Sequence, residues 1–441
     1  MLTAFGRAFR TPDLRNKILF TLGILALFRL GSTIPAPGVN YSHVHTCLSL
    51  DKNSSVLALV NLFSGGALLQ LTIFALGIMP YITSSIIIQL LVVVIPRLER
   101  LKEQGQSGQA KLTQYTRYLT VALAVLQATG IVALARTGRL LPCTDSAGHQ
   151  VSLLYSTSVF HIITLVVTMT AGTAVIMWLG ELITDRGIGN GMSLLIFTSI
   201  AARFPSQGSE ILQSRGVTTF VGVLMAGLLI IVGIVFMEQG QRRIPVQYAK
   251  RMIGRRMYGG TSTYIPLKVN QAGVIPVIFS SSLLYLPQLL SQVWTSNSGF
   301  QNFVATYFNA NNATWVYMLT YALLTVFFTY FYVAITFNPV EVSDNMRKYG
   351  GFIPGIRPGR PTAEYLEYVL SRITLPGALY LTAIAVLPIL ALHFLPGAAA
   401  GSNQAFPFGG TSVLILVGVG LDTSKQIESQ LMLRNYEGFL R

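Results

Sequence analysis

The chain has 441 residues, of which 52% are hydrophobic and only 11% are charged. Soluble domains carry about 25% charged residues, so this composition excludes a soluble globular protein and indicates an integral membrane protein. The net charge of +15 does not require a nucleic-acid partner, because Lys and Arg accumulate on the cytoplasmic side of membrane proteins. The two cysteines exclude a disulfide framework and a cysteine-rich zinc site.

Apolar segments of membrane-spanning length recur along the whole chain. The first follows a basic N-terminus without a small-residue cleavage site, which predicts an uncleaved first span. The fifth is the weakest, because only sixteen residues separate Arg186 from Arg203 and a spanning helix needs about 17. The ten predicted spans cover residues 18–36, 73–96, 115–135, 157–180, 188–203, 217–237, 271–292, 315–337, 373–395 and 409–430.

The distribution of basic residues supports ten spans with both termini in the cytoplasm. This topology places 25 of the 31 Lys and Arg residues on the cytoplasmic side and five on the outer side, and removing one span would destroy the asymmetry. We therefore predict an all-α polytopic membrane protein with ten transmembrane helices. Spans 1–5 form an N-terminal half (1–216) and spans 6–10 a C-terminal half (217–441) of opposite orientation, an arrangement that permits a central pore between them.

The stretch from Asn61 to Pro96 contains no charged residue but is interrupted by three glycines and by Pro80. A bilayer tolerates an interrupted helix only where the freed backbone groups are buried in protein or line a water-filled cavity. We therefore predict a short apolar piece, a turn and then a spanning helix that lines a pore.

Two cytoplasmic loops, 238–268 and 338–372, are larger than a connection requires. The first contains seven basic residues, and its strand-like segments 244–249 and 261–267 predict a hairpin. In the second, Pro and Gly residues predict a fixed turn with Arg357 at its tip. Thr362 is predicted to cap the helix that follows.

A secondary transporter and a membrane enzyme are the alternatives. Ion-coupled transporters need titratable groups near the midplane, whereas the predicted spans contain no deep carboxylate. Arg29 is the one deep charge, and it costs about 2.5–3.5 kcal/mol unless it reaches water or a partner. No metalloprotease, nucleophile-elbow or P-loop motif is present, so we predict no catalytic site, no metal site and no cofactor.

The isolated histidines and the two cysteines give only weak evidence for a metal site or a disulfide. His161 and His393 are more typical of packed side chains than of ligands. His43, His45 and Cys47 resemble a metal cluster only faintly. Cys47 and Cys143 both fall in outer loops, where oxidation is possible, but nothing in the sequence fixes their separation, so a disulfide between them stays open.

What remains is a passive conduit with a large cytoplasmic docking surface, and long motifs in the chain closely resemble the SecY family, the channel subunits of Sec protein-translocation complexes. The motifs occur in order and cover nearly the whole chain. They are Phe63-Ser-Gly-Gly-Ala-Leu, Ile73-Phe-Ala-Leu-Gly-Ile-Met-Pro-Tyr-Ile, Trp178-Leu-Gly-Glu-Leu-Ile-Thr-Asp-Arg-Gly-Ile-Gly-Asn-Gly, Gly240-Gln-Arg-Arg, Pro266-Leu-Lys-Val-Asn-Gln-Ala-Gly-Val-Ile-Pro, Pro354-Gly-Ile-Arg-Pro-Gly and Phe408-Gly-Gly-Thr-Ser.

The resemblance implies an hourglass pore between the two halves with a ring of apolar side chains at its waist. An apolar constriction dewets and so blocks ions. Without the resemblance, these residues would be taken as ordinary core residues at helical spacing. Carried over by motif, the pore ring is Ile78, Ile82, Met192, Ile196, Ile278 and Ile415.

The resemblance also implies a plug and a lateral gate. The plug matches residues 61–71, with Asn61, Phe63, Ser64, Gly65 and Gly66 as its motif residues, and we expect a segment that must leave its seat to be held weakly. A re-entrant loop without a gating role is the alternative. The lateral gate, between spans 2/3 and 7/8, releases hydrophobic segments sideways into lipid. Its polar cluster matches Thr83, Gln127 and Asn270.

Finally, the resemblance implies partners for the two basic loops. They match the docking site of the SecA ATPase and the ribosome, with Arg255, Arg256 and Arg357 as the contact residues. Guanidinium groups suit both acidic protein groups and ribosomal RNA phosphate. The small subunits SecE and SecG complete the implied complex, signal sequences and unfolded preproteins are the implied substrates, and the implied location is the cell membrane.

Overall fold

The structure, a computed structural model, describes residues 11–50, 64–136, 153–156, 158–248, 251–253, 256–258, 262–293, 298–308, 314–394 and 410–437. These residues form mainly helices, with a few short strands. The helices are α1 (Pro12–Gly31), α2 (Tyr41–Leu50), α3 (Met79–Val94), α4 (Pro96–Glu103), α5 (Gln106–Arg136), α6 (Val159–Arg186), α7 (Gly191–Ala201), α8 (Phe204–Gln239), α9 (Ile275–Val293), α10 (Ser298–Tyr307), α11 (Trp315–Thr336), α12 (Pro339–Lys348), α13 (Arg360–Phe394) and α14 (Gly410–Glu437). The strands are β1 (Gln241–Tyr248), β2 (Arg251–Ile253), β3 (Arg256–Tyr258), β4 (Ser262–Lys268) and β5 (Gly351–Phe352).

Each predicted span falls on a helix, but not every helix has the length of a span. Within the described ranges, five helices are long and apolar enough to cross a membrane, or six if the bent pair α3–α4 is one span. Predicted span 5 corresponds to α7, which has only 11 residues. The polytopic helical fold is confirmed, whereas the count of ten spans stays a prediction.

Span 2 begins later than its hydropathy predicts. Residues 64–78 form a succession of turns, and α3 starts at Met79 rather than at residue 73. Gly77 adopts a left-handed conformation with φ of +56°, and Pro80 stands in the first turn of the helix, where its missing N–H is not needed. At the other end, α3 and α4 meet at an angle of 101°.

The predicted hairpin of loop 238–268 is confirmed, whereas its cytoplasmic location stays a prediction. Strand β1 pairs antiparallel with β4, and the register joins Ile244 to Ile265. The same sheet also contains β5, so its strand order is β4-β1-β5. Loop 338–372 therefore contributes a strand to loop 238–268, a connection that the sequence did not indicate. We call the sheet, together with α12 and the first turns of α13, the cytoplasmic platform.

The predicted helix cap at Thr362 is wrong. Helix α13 begins two residues earlier, at Arg360. The Thr362 hydroxyl instead donates to the Arg357 carbonyl over 2.9 Å, and its N–H donates to the Gly359 carbonyl. Thr362 therefore stabilises the turn before the helix and does not cap the helix start.

Helices from the two halves meet in several places. Helix α7 of the N-terminal half packs against α14 of the C-terminal half, and α9 packs against both α3 and α5. A large apolar core lies where α1, α3, α6, α7, α9 and α14 converge. A second core in the N-terminal half joins α2, α5 and α6 to residues 68–76, and we call it the outer core after the side predicted for its loops.

Candidate pore constriction and docking surface

All six residues predicted for the pore ring lie in one apolar cluster. Ile78, Ile196, Ile278 and Ile415 are buried members of the cluster, and Ile82 and Met192 pack against it while remaining partly exposed. They come from four helices, two in each half of the chain. The structure therefore brings together side chains that lie up to 337 positions apart in the sequence.

The start of α3 positions the first two members. Ile78 is the residue that precedes the helix, and its carbonyl accepts hydrogen bonds of 3.1 Å from the N–H groups of both Tyr81 and Ile82. Ile82 follows one helical turn later, so both side chains lie on the same face of the helix.

The Gly-Ile-Gly-Asn-Gly run positions the members on α7. The Asn190 side chain caps the helix by accepting from the N–H groups of Met192 and Ser193. A Cβ at Gly191 would collide with the Gly180 carbonyl oxygen, so only glycine lets α7 lie this close to α6. The Gly191 N–H also donates to the Thr184 hydroxyl over 3.0 Å. These contacts fix the position from which Met192 and Ile196 reach the cluster.

The C-terminal half supplies Ile278 from the first turn of α9 and Ile415 from the second turn of α14. The Ile278 N–H donates to the Val274 carbonyl over 3.3 Å. Ile415 is 1% exposed and Ile278 is 6% exposed. Both side chains are thus removed from solvent in the structure, as Ile78 is at 2%.

The six side chains of this ring are all uncharged. The ion pairs Arg117–Glu181, Lys268–Asp422 and Arg360–Glu364 lie elsewhere. Contacts that are purely apolar carry no directional preference, so the side chains can separate and repack without breaking hydrogen bonds of their own. An apolar closure of this kind also excludes water and ions.

The predicted plug is described only in part, because Asn61 and Phe63 lie outside the described residues. Gly65 and Gly66 have φ of +67° and +96°, a region that favours glycine. Beyond them, Leu68 and Leu71 are both fully buried in the outer core. Burial of a leucine side chain contributes about 1.5–3 kcal/mol, so Leu68 and Leu71 anchor this end of the segment, and the expectation that the segment as a whole is held weakly stays a prediction.

Arg29 reaches this segment. Its Nη1 donates to the Gly65 carbonyl over 3.1 Å and to the Ser32 hydroxyl over 3.5 Å. The only charge predicted deep in a span therefore has a partner, and that partner is the backbone of the predicted plug.

The three predicted lateral-gate residues do not share a hydrogen bond. The Asn270 amide donates to the Glu238 carboxylate and to the Gly273 carbonyl. The Thr83 hydroxyl donates to the Met79 carbonyl within its own helix. The predicted seam itself is present in the packing, because α9 contacts α3 and α5. Sequence reasoning missed Glu238 as the partner of Asn270, since 32 positions separate them.

Two of the three predicted docking arginines are described, and of these Arg357 adjoins the cytoplasmic platform, whereas Arg256 lies in the separate β2-β3 sheet. Arg357 is exposed at the turn before α13. The turn is fixed by the bond from Thr362 to the Arg357 carbonyl and by a 2.7 Å bond from the Ser343 hydroxyl to the Gly359 carbonyl. Arg256 is the first residue of β3, and Arg255 lies outside the described residues.

The sequence left open whether the cysteines are oxidised, and the structure shows that Cys47 is. It is 1% exposed in the outer core and is disulfide-bonded. The sequence contains one other cysteine, Cys143, which lies outside the described residues.

The fold is that of membrane protein-conducting channels. A structure described as that of a protein-conducting channel aligns with 94% of this chain and 91% of its own, with a TM-score of 0.59 and 16% identity. The Sec61 chain of a canine ribosome–channel complex from the endoplasmic reticulum gives a TM-score of 0.55 over the same shares, also at 16% identity. A third structure, with a TM-score of 0.60 and 17% identity, is described as showing that the plug domain of SecY stabilises the closed state of the translocation channel and maintains a membrane seal.

Sequence comparison then identifies the family. A sequence model of the SecY family matches residues 72–424. The protein translocase subunits SecY of Mycobacterium tuberculosis and Streptomyces scabiei are 62% and 64% identical to this chain, over the full length of both proteins in each case. The chain belongs to the SecY family.

Proposed function

We propose that this chain is the channel through which unfolded secretory polypeptides cross the cytoplasmic membrane. The observation that carries the proposal is the apolar cluster of Ile78, Ile82, Met192, Ile196, Ile278 and Ile415, contributed by both halves. A solute carrier would need polar or charged groups at this position to bind its substrate, and a membrane enzyme would need nucleophiles or metal ligands there. An apolar closure instead suits a passage that must open for an extended chain and then close again.

The cluster acts as a seal in this proposal. At rest, the six side chains exclude water and so block ions. When an extended polypeptide separates the two halves, flexible aliphatic side chains close around it and keep the leak small. Met192 suits this role because its unbranched thioether adapts to irregular surfaces.

Residues 61–71 form the plug, and the contact of α9 with α3 and α5 is the lateral gate. The bonded pair of Asn270 and Glu238 holds the start of α9 to the end of α8. Because this anchor lies within the C-terminal half, the gate can open along α3 and α9 without breaking it. Signal sequences and other hydrophobic segments leave through this seam into lipid.

The cytoplasmic platform docks the partners that supply energy, namely the SecA ATPase or the ribosome. Arg357, held at a fixed tip, is the principal contact, together with Arg255 and Arg256. SecE and SecG are the accessory subunits. The bias of Lys and Arg supports a cytoplasmic location for this platform and for both termini.

The proposal is tested by measuring ion conductance of the purified complex in planar bilayers. Replacing Ile78, Ile82, Ile278 and Ile415 by Ser hydrates the constriction, so the resting channel becomes leaky. The matched control replaces four exposed apolar residues, Val93, Leu126, Leu319 and Leu387, by Ser and leaves the resting conductance low. An equally low conductance in both variants would refute the seal.

A second experiment separates protein transport from solute transport. Depletion of the chain in its host is expected to cause secretory precursors with uncleaved signal sequences to accumulate. Normal precursor processing, together with loss of uptake of one small molecule, would favour a transporter instead.

A further inference from the structure

Arg29 has no role in the function proposed so far. It lies two residues before the end of α1, and its side chain is partly buried. Among the described residues no carboxylate lies within ion-pair distance of it. A cation at this depth is costly unless it is hydrogen-bonded, and the Gly65 carbonyl at 3.1 Å is its shortest such contact.

Gly65 is held on two sides. A Cβ built on this residue would lie 3.2 Å from the Arg29 guanidinium and 3.2 Å from Cα of Ser199. Its φ of +67° favours glycine. The Gly65 backbone is therefore enclosed between the arginine of α1 and the backbone of α7, at a position where no other residue fits without strain.

This contact adjoins the pore constriction. Ser199 lies three positions after Ile196 on α7, so the two residues lie on the same face of that helix. One residue before Arg29, Phe28 stacks on Phe74 with ring centroids 5.9 Å apart. Phe74 and Ile196 both belong to the cluster that contains the predicted ring. A shift of α7 that widens the ring thus also moves Ser199 away from Gly65.

We infer that Arg29 is a positioning residue that latches residues 64–66 in the closed channel, and that movement of α7 releases this latch. The inference rests on the proposed plug. Hydrogen bonds from a charged donor are about twice as strong as neutral ones. One guanidinium therefore suffices to hold residues 64–66, because the two glycines have no side chains that could pack. The leucines at 68 and 71 stay anchored, and the segment opens from its glycine end.

The latch is tested by the reactivity of an introduced cysteine with a membrane-impermeant maleimide in proteoliposomes. Ala67→Cys places the thiol at a site that is 1% exposed, so labelling reports opening of the segment. Arg29→Met keeps an unbranched apolar stem but removes the charge and the donor, and labelling should accelerate about tenfold or more. Arg29→Lys keeps the charge and one donor and should restore at least part of the protection. Gly65→Ala, which strains the backbone and crowds Arg29, should accelerate labelling as Arg29→Met does.

Three controls distinguish the latch from general destabilisation. The parent protein gives the background from its own cysteines. Arg136→Met removes an exposed arginine at the end of α5 and should leave labelling of Ala67→Cys unchanged. Ala124→Cys, fully buried in the same outer core as Leu68, should remain protected in the Arg29→Met background.

Labelling of Ala67→Cys that does not change with Arg29→Met would overturn the latch, and so would equal acceleration at Ala124→Cys. The proposed plug is tested separately by deleting residues 64–71 and measuring resting conductance. If the deletion leaves the conductance low, the plug proposal fails, while the labelling rates still decide whether Arg29 holds this segment.

Discussion

The pore constriction and the cytoplasmic platform are built by different forces. At the constriction, aliphatic side chains from four helices of both halves meet without ion pairs. On the platform, backbone hydrogen bonds join β1 to β4 and to β5, and the core beneath them comes entirely from the C-terminal half. Apolar contacts tolerate sliding and exchange of partners, whereas a hydrogen-bonded ladder fixes register. The difference teaches that the part proposed to open is held by non-directional contacts, and the part proposed to present Arg357 to partners is held by directional ones.

The largest effect is expected from a covalent cross-link between α3 and α9, because it prevents the two halves from separating at the constriction. Cysteines introduced on facing sides of α3 and α9, which pack together, form a disulfide on oxidation. Because the halves can then no longer separate at the seam, we expect export to stop completely, measured as protease-protected preprotein in vesicles. Reduction of the same sample is the control and should restore transport. Undiminished export by the oxidised protein would exclude the lateral gate.

Charge reversal at the platform should have the next largest effect. Arg357→Glu places a carboxylate at the tip of the fixed turn and should weaken binding of the SecA ATPase by about tenfold or more, as for a central interface residue. Motor-driven transport should fall accordingly, while membrane insertion and assembly of the protein stay normal. Lys111→Glu, an exposed residue at the start of α5, is the matched charge reversal. Equal binding by the Arg357 and Lys111 variants would contradict the docking role.

A smaller effect is expected at the constriction, where α7 packs closely against α6. Gly191→Ala should lower the free energy of unfolding by about 1–3 kcal/mol, because the added methyl group overpacks the contact of α7 with α6. Gly222→Ala adds the same methyl group to α8, where nothing lies within 4 Å, and should be neutral or stabilising. Thermal denaturation in detergent measures both. Similar melting temperatures for the two variants would show that α7 has room that the structure does not indicate.

A comparable effect at Asn270 and the smallest effect, at Thr83, sharpen the interpretation of the gate residues. Asn270→Ala leaves the Glu238 carboxylate without its amide donor, so stability should fall by about 1–3 kcal/mol. Thr83→Ala removes only a hydroxyl bonded to its own helix and should change stability by about 0.5 kcal/mol or less. If Thr83→Ala proved as destabilising as Asn270→Ala, the two residues would belong to one polar cluster after all.

The predicted pore residues illustrate how far the sequence could lead. Motif resemblance selected six apolar residues that the structure gathers into one cluster. It also placed Asn270 with Thr83 and Gln127, whereas the Asn270 amide binds Glu238. The apolar residues were predictable because they have no competing partners. A polar side chain, by contrast, bonds to whichever donor or acceptor the fold brings nearest, and that choice depends on long-range packing.

The sequence by itself determined the class of protein, the helical segments and the cytoplasmic hairpin. These follow from local properties, since apolar runs partition into lipid, Lys and Arg stay in the cytoplasm, and alternating β-formers pair across a turn. The tertiary structure alone decided that α3 starts at Met79, that β5 joins the two docking loops, and that Arg29 binds the Gly65 carbonyl. Each of these depends on backbone groups far apart in the chain coming within hydrogen-bond distance, and no local pattern of side chains encodes such a meeting.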